Sequence, residues 1–192
     1  MKPDPAAIQA AHLIDRLERL TRSGAIIEGL NPAQWEALRY LARANRFSRT
    51  PAALADYLGS TRGTVSQTLI ALEQKGFVGR TQSARDKRSV DLELMPQGEN
   101  ALKYDPLLVL ARDLAASPSG DIGNLVETLR AVLHRALIRN EGKAFGACHT
   151  CRHFQRDKGT SSRTPHRCGL LDEPLTDAES RAICVEQELV CA

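Results

Sequence analysis

The sequence predicts a mainly α fold with a small β-hairpin, followed by a small cysteine-rich module. Three observations carry that reading. Apolar residues recur at spacings of three and four over most of the first 140 residues. The period shifts to two around residues 77–94. All five cysteines of the 192-residue chain lie after residue 147. Hydrophobic residues make up 42% and aromatics only 4%, so the core must be mainly Leu, Ala, Ile and Val, which favours helix. No run approaches the ~18 apolar residues needed to cross a bilayer. The start, Met1-Lys2-Pro3-Asp4-Pro5, lacks the apolar stretch of a secretory signal, so a cytoplasmic, reducing compartment is expected.

The elements follow in order. Ile8, Leu13, Ile14, Leu17 and Leu20 predict an amphipathic helix over 6–22, with Pro5 at its start. Asn31-Pro32 opens a second helix, with Trp35, Leu38, Leu41 and Ala42 on one face, fraying near Asn45. Thr50-Pro51 repeats that start for a short third helix carrying Leu54, Ala55 and Leu58, stopped at Gly59. Ser60 or Thr61 caps a fourth helix through about Lys75, with the stripe Val65, Leu69 and Leu72. Gly76 follows as its C′ residue. Phe77–Thr81 and Val90, Leu92, Leu94 predict two strands around a polar turn, Ser83-Ala84-Arg85-Asp86-Lys87, and Pro96 ends them. Residues 97–116 read as one helical stretch kinked at Pro106. After a break at 117–121, Ile122, Leu125, Val126, Leu129, Val132, Leu133 and Leu137 predict a final helix to about 139.

Net charge is only +3, and its distribution says more. Six Lys/Arg and two Asp/Glu lie between Thr61 and Arg88, whereas six Asp/Glu and one Arg lie between Leu171 and Ala192. The first segment suits phosphates; the second repels them. Helix–helix–helix–hairpin is the order of a winged helix-turn-helix. In that arrangement the third helix braces the fourth, the N-terminal end of the fourth enters the major groove, and the hairpin tip reaches the backbone or minor groove. Thr61, Arg62, Thr64, Ser66 and Gln67 stand at the start of the fourth helix, and Arg85, Asp86, Lys87 and Arg88 at the wing tip. Taken singly, each is explained by a solvated surface. Their joint spacing favours DNA contact.

The stretch from Ser60 to Gln67, the Leu72-Glu73-Gln74-Lys75-Gly76-Phe77-Val78 helix end, Asp86-Lys87-Arg88 and Pro96-Gln97-Gly98 resemble the MarR family of transcription regulators. The resemblance covers roughly residues 6–140. It implies a homodimer built from the first and last helices of that region, binding a roughly palindromic double-stranded DNA site. It also implies that Asp86 orients Arg88. Two positions depart from the family pattern: Met95 where Thr is usual, and Gln67 where a basic residue is common.

Beyond about residue 141 large apolar residues thin out, so the chain divides into 1–140, the winged-helix and dimerisation part, and 141–192, the cysteine-rich tail. Some fifty such residues cannot build an independent core without a staple. The spacing Cys148-x2-Cys151-x16-Cys168-x15-Cys184 offers one. A CxxC turn brings two thiolates to one centre, and two further cysteines close separate loops on it. Thiolates are soft ligands that select iron–sulfur, zinc or Cu(I). Zinc sites usually show two CxxC knuckles, and only one is present; an iron–sulfur cluster tolerates more varied spacing and ranks first. Structural zinc and metal-free redox thiols remain alternatives. Cys191 competes with Cys184, and His149, His153 or His166 is each a candidate replacement ligand. No catalytic constellation stands out, so the chain is read as a non-enzyme. The expectation is a regulator whose tail senses iron, oxygen or redox state by repacking against the dimerisation helices. One alternative pairs a zinc-stapled tail with a small-molecule effector in the dimer crevice. Another is an electron carrier using the winged helix to dock protein.

Overall fold

Helix boundaries in this chain are set by side-chain caps placed next to prolines. The structure, a computed structural model, describes residues 4–23, 29–83, 87–117 and 121–188. Helix α1 spans Pro5–Ser23 and α2 spans Pro32–Arg43. Asn31 caps α2 by accepting from the Gln34 amide, and Gln34 answers with a bond from the Asn31 amide. This reciprocal box satisfies two otherwise orphaned donors. Thr50 caps α3 (Pro51–Leu58), and Gly59 ends it in the left-handed region at φ 58°. Thr61 caps α4 (Arg62–Gln74), and Gly76, at φ 75°, turns the chain into the hairpin.

Strands β1 (Val78–Gln82) and β2 (Val90–Leu94) pair antiparallel with Val78 opposite Leu94 and Gln82 opposite Val90. Arg49, just before α3, accepts from the Leu92 amide at 2.7 Å, so β2 is held on its second edge as well. One core unites these parts. Trp35, Leu38, Leu41, Leu54, Leu69 and Leu72 are fully buried, joined by Val65, Phe77 and Leu92. Each large apolar side chain so buried contributes about 1.5–3 kcal/mol. Ala42 is exposed rather than buried; Ala37 and Tyr40 take the inward positions of α2.

The stretch read as one kinked helix is two. Helix α5 covers Pro96–Leu102 and α6 covers Leu107–Ala116. Pro96 starts α5 rather than only ending the hairpin. The break has a cause besides Pro106: Asp105 is clamped by Arg39 through two bonds of 2.7 and 2.6 Å and also accepts from the Leu107 amide at 2.8 Å. A carboxylate held from α2 fixes the turn there. Helix α7 (Ile122–Arg139) is capped by Asp121.

Helices α1, α6 and α7 bury none of their described residues. Their apolar stripes, including Leu13, Ile14, Leu17, Leu107, Leu125 and Leu129, stand exposed. The tail adds β3 (Gly146–Ala147), a 3-10 turn at Cys148–Thr150, β4 (Phe154–Gln155), β5 (His166–Cys168), β6 (Glu173–Leu175), α8 (Asp177–Arg181) and β7 (Ile183–Cys184). β3 pairs with β7, and β4, β5 and β6 form a three-stranded antiparallel sheet. Among the described residues no helix is long and apolar enough to cross a membrane.

Gly98 on α5 lies where a Cβ would meet the Phe77 carbonyl at 2.5 Å and Leu94 at 2.7 Å. Gly98→Ala is therefore expected to lower stability by about 1–3 kcal/mol in denaturant unfolding. A variant as stable as the parent would show that α5 does not seat against the hairpin base.

Candidate DNA-binding face and cysteine pocket

The first turn of α4 projects from the core. Arg62, Thr64 and Gln67 are exposed, Ser66 is half-buried, and Val65 and Leu69 point inward. The Thr61 hydroxyl is spent on the cap: it accepts from the Thr64 amide at 3.1 Å and lies 2.9 Å from the Thr64 hydroxyl. This leaves Arg62 and Gln67 as the longest exposed polar side chains of the N-terminal turns. At the wing, Lys87 and Arg88 are exposed, and the Lys87 carbonyl accepts from the Gln82 side chain at 2.8 Å. Arg85 and Asp86 lie outside the described residues. Arg62, Gln67, Lys87 and Arg88 carry neutral or positive groups suited to phosphates and base edges.

The tail brings its four spaced cysteines together. The 3-10 turn closes when the Cys151 amide donates to the Cys148 carbonyl at 2.9 Å. β4–β5 pairing sets Phe154 opposite Cys168, and β3–β7 pairing sets Gly146 opposite Cys184. Cys148, Cys151, Cys168 and Cys184 then line one small cavity of ≈20 Å³, walled by Phe154, Leu170 and Leu175 and edged by His153 and Glu186. That volume holds about one water. The four are free thiols. Among the described residues no cluster of three His, Cys, Asp or Glu has the geometry to grip a single metal ion. Cys191 lies outside the described residues. His149 and His166 are occupied elsewhere: His149 Nδ1 faces the Ser180 carbonyl at 3.0 Å, and His166 bonds Asp177 at 3.0 Å and the Asp157 amide at 3.2 Å.

Cys148 and Cys184 act as a pair. The hydrogen bond between them, then burial, pushes the Cys148 thiol up; the same bond pulls Cys184 down against burial, helped by Asn45, the Glu186 backbone and Ser48. The sulfurs line an apolar pocket, and the Asn45 side chain and the Glu188 amide donate to those of Cys148 and Cys151 at 3.2 and 3.5 Å.

Residues 28–89 match the MarR family pattern. Over those residues the chain is similar to the MarR family. Its fold is shared by the transcriptional regulator BldR from Sulfolobus solfataricus, at 20% identity and a TM-score of 0.56, covering 70% of this chain and 99% of that one. A MarR transcriptional regulator from Methanosarcina mazei Go1 is equally similar in fold, at 19% identity and a TM-score of 0.56, covering 70% and 98%. FabT of Streptococcus pneumoniae, solved in complex with DNA, matches at 19% identity and a TM-score of 0.55, covering 69% and 97%. No curated protein sequence matches the chain.

The tail grips the winged-helix part at a place the sequence did not suggest. Beyond the bonds of Glu141 and Gly142 that close the end of α7, its hydrogen bonds among the described residues run chiefly to the turn between α2 and α3. Asn45 donates to the Cys148 sulfur at 3.2 Å, and the Val185 amide donates to the Ser48 hydroxyl at 2.9 Å. Arg46 donates to the Pro174 carbonyl at 2.7 Å and pairs with Glu179. Lys143 meets Asp56 of α3 at 2.8 Å, and Phe145 packs edge-on against Tyr57 at 5.1 Å. Between α7 and β3 lies a cleft of ≈370 Å³. The tail thus docks on the α2–α3 turn as well as lying beside α7. The sequence marks Asn45 only as a fraying helix end and gives Arg46 and Ser48 no role; the available signal was a Phe set between polar residues in a short interhelical loop.

Burial raises the Glu179 carboxyl, but the Thr176 amide and Arg46 outweigh it and hold it below its usual value. A carboxylate lowered in the folded state stabilises fully above its ordinary pKa and loses that effect as pH falls through the lowered one. Limited proteolysis should therefore release the tail faster as pH drops from about 5 to about 3. Glu179→Gln should raise the neutral-pH rate and flatten that dependence. An unchanged profile would show that the Arg46–Glu179 contact does not hold the tail.

Proposed function

We propose that this protein is a homodimeric, MarR-type DNA-binding transcription regulator whose four-cysteine pocket holds an iron–sulfur cluster and thereby sets operator affinity. The carrying observation is the convergence of Cys148, Cys151, Cys168 and Cys184 on one apolar pocket that hydrogen-bonds the turn leading into the helix-turn-helix. When bound, such a cluster supplies reversible electron uptake and sensitivity to oxygen and iron supply. The residues of the chain do the rest: Phe154, Leu170 and Leu175 exclude water, and Asn45 donates to the Cys148 sulfur.

The unburied helices α1, α6 and α7 support the dimer. A contiguous apolar face of this extent on a single chain marks an association surface. Two copies joined through it present two α4 helices, and a fixed half-site spacing of about 34 Å makes affinity sensitive to small rotations. Arg62, Thr64, Ser66 and Gln67 face the groove in this reading, with Thr61 holding the helix start. Arg85, Lys87 and Arg88 reach phosphates, and Asp86 orients Arg88.

Arg62→Ala is expected to cost about 1–3 kcal/mol at the operator and to relax preference at one base position. Lys87→Ala is expected to weaken all sequences alike and to lower the salt slope by about one. Binding-site selection at several salt concentrations separates these two effects; equal, salt-independent losses would refute the assignment of groove and wing.

Anaerobically purified protein is expected to be brown, with iron and acid-labile sulfide and little zinc. Colourless protein with stoichiometric zinc would replace the cluster with a structural staple. A second reading would then hold: a small-molecule effector in the ≈440 Å³ cleft lined by Arg22, Glu36, Arg39, Arg43, Tyr57 and Phe145 among others.

A further inference from the structure

We infer that Asn45 is a positioning residue that ties the cysteine pocket to the DNA-contacting wing within one chain. The inference rests on the pocket being a ligand site, as proposed above, and names the route by which its state reaches the wing. Asn45 is 2% exposed, and both polar atoms of its side chain are hydrogen-bonded. Its Nδ2 donates to the Cys148 sulfur at 3.2 Å. Its Oδ1 accepts from the Ser48 amide at 3.0 Å and the Ser48 hydroxyl at 2.8 Å.

The tail clamps this turn on both sides of Cys184. The Asn45 amide donates to the carbonyl of Ile183 at 2.9 Å, one residue before it. The Ser48 hydroxyl accepts from the amide of Val185, one residue after it. Arg49 then closes the turn by donating to the Ala44 carbonyl at 3.1 Å, and its own carbonyl receives the Leu92 amide of β2 at 2.7 Å. Cys148, Asn45, Ser48, Arg49 and Leu92 thus form one unbroken series of contacts.

The chemistry at this position needs an amide. A buried network is stable only when every member is satisfied, and it responds as a unit when one member is lost. An aliphatic side chain would leave the Ser48 hydroxyl without its acceptor and the Ser48 amide with only the Asn45 backbone carbonyl, at 3.1 Å. A carboxylate would turn an acceptor toward sulfur. The donor on the Cys148 sulfur also stabilises negative charge on any centre that this thiolate holds, so its removal is expected to lower a cluster's reduction potential.

Amide hydrogen exchange tests the tie directly, because the Ser48 and Leu92 amides are themselves its donors. The full-length chain is compared with Cys148→Ala and Asn45→Ala, and iron content is read on the same samples. Exchange at Ser48 and Leu92 is expected to rise about tenfold or more in both variants, while Leu69 in the α4 core stays unchanged. Asn45→Ala keeps all four cysteines and is expected to retain iron, which separates it from Cys148→Ala.

If Cys148→Ala loses iron while Leu92 exchanges as in the parent, the tie is overturned and the cluster stands. The same holds if Asn45→Ala leaves Ser48 and Leu92 protected. If the parent carries no iron yet Leu92 still responds to Cys148→Ala, the tie stands and the cluster fails. The unchanged Leu69 amide excludes global unfolding as the cause. Should Cys148→Ala fail that control, Asn45→Ala alone decides.

Discussion

Residues 44–49 present more buried polar groups than one short turn can satisfy from within itself, and the tail and the wing satisfy them from opposite sides. An unmet amide or carbonyl in this setting costs on the order of 1–3 kcal/mol, so neither neighbour can withdraw freely. Ile183 supplies the carbonyl for the Asn45 amide, Leu92 takes the Arg49 carbonyl, and Tyr40 covers the Ser48 carbonyl at 2.6 Å. The turn is therefore the joint between the cysteine-bearing tail and the β1–β2 hairpin.

The two halves also trade apolar groups across this joint. Phe47 of the turn packs with Cys148, Cys184 and Leu175 in the tail, while Ile183 of the tail enters the core built around Trp35 and Leu54. Neither residue could be buried by its own half. The tail is docked rather than tethered, and its remaining strands of two or three residues are too short to persist alone. Ligation of four thiolates would add the order that such short elements lack, which makes the docking sensitive to what the pocket holds.

Much of the helical part is legible in the sequence because its boundaries are chemical. Asn31-Pro32, Thr50-Pro51, Gly59 and Gly76 each announce a cap or a left-handed turn, and the stripes of α2 and α4 announce their buried faces. The α5–α6 break is less so: Pro106 is visible, but the Arg39–Asp105 clamp joins residues 66 apart and leaves no local trace. The cysteine spacing shows that four thiols belong together. It does not show where they dock, since Asn45 and Cys148 are 103 positions apart. The tail strands fall below the length at which alternation can be read, and Asn45 reads as a fraying helix end until its partner is seen.

A coupling of only about 1–3 kcal/mol between pocket and DNA face would change operator affinity roughly 5- to 150-fold. The most direct measurement is operator affinity of the same anaerobic preparation before and after removal of its metal centre, at one fixed salt concentration. The account predicts a change of at least about fivefold, with the dimer intact in both states. Equal affinities, in a protein shown to have lost its metal, would contradict it.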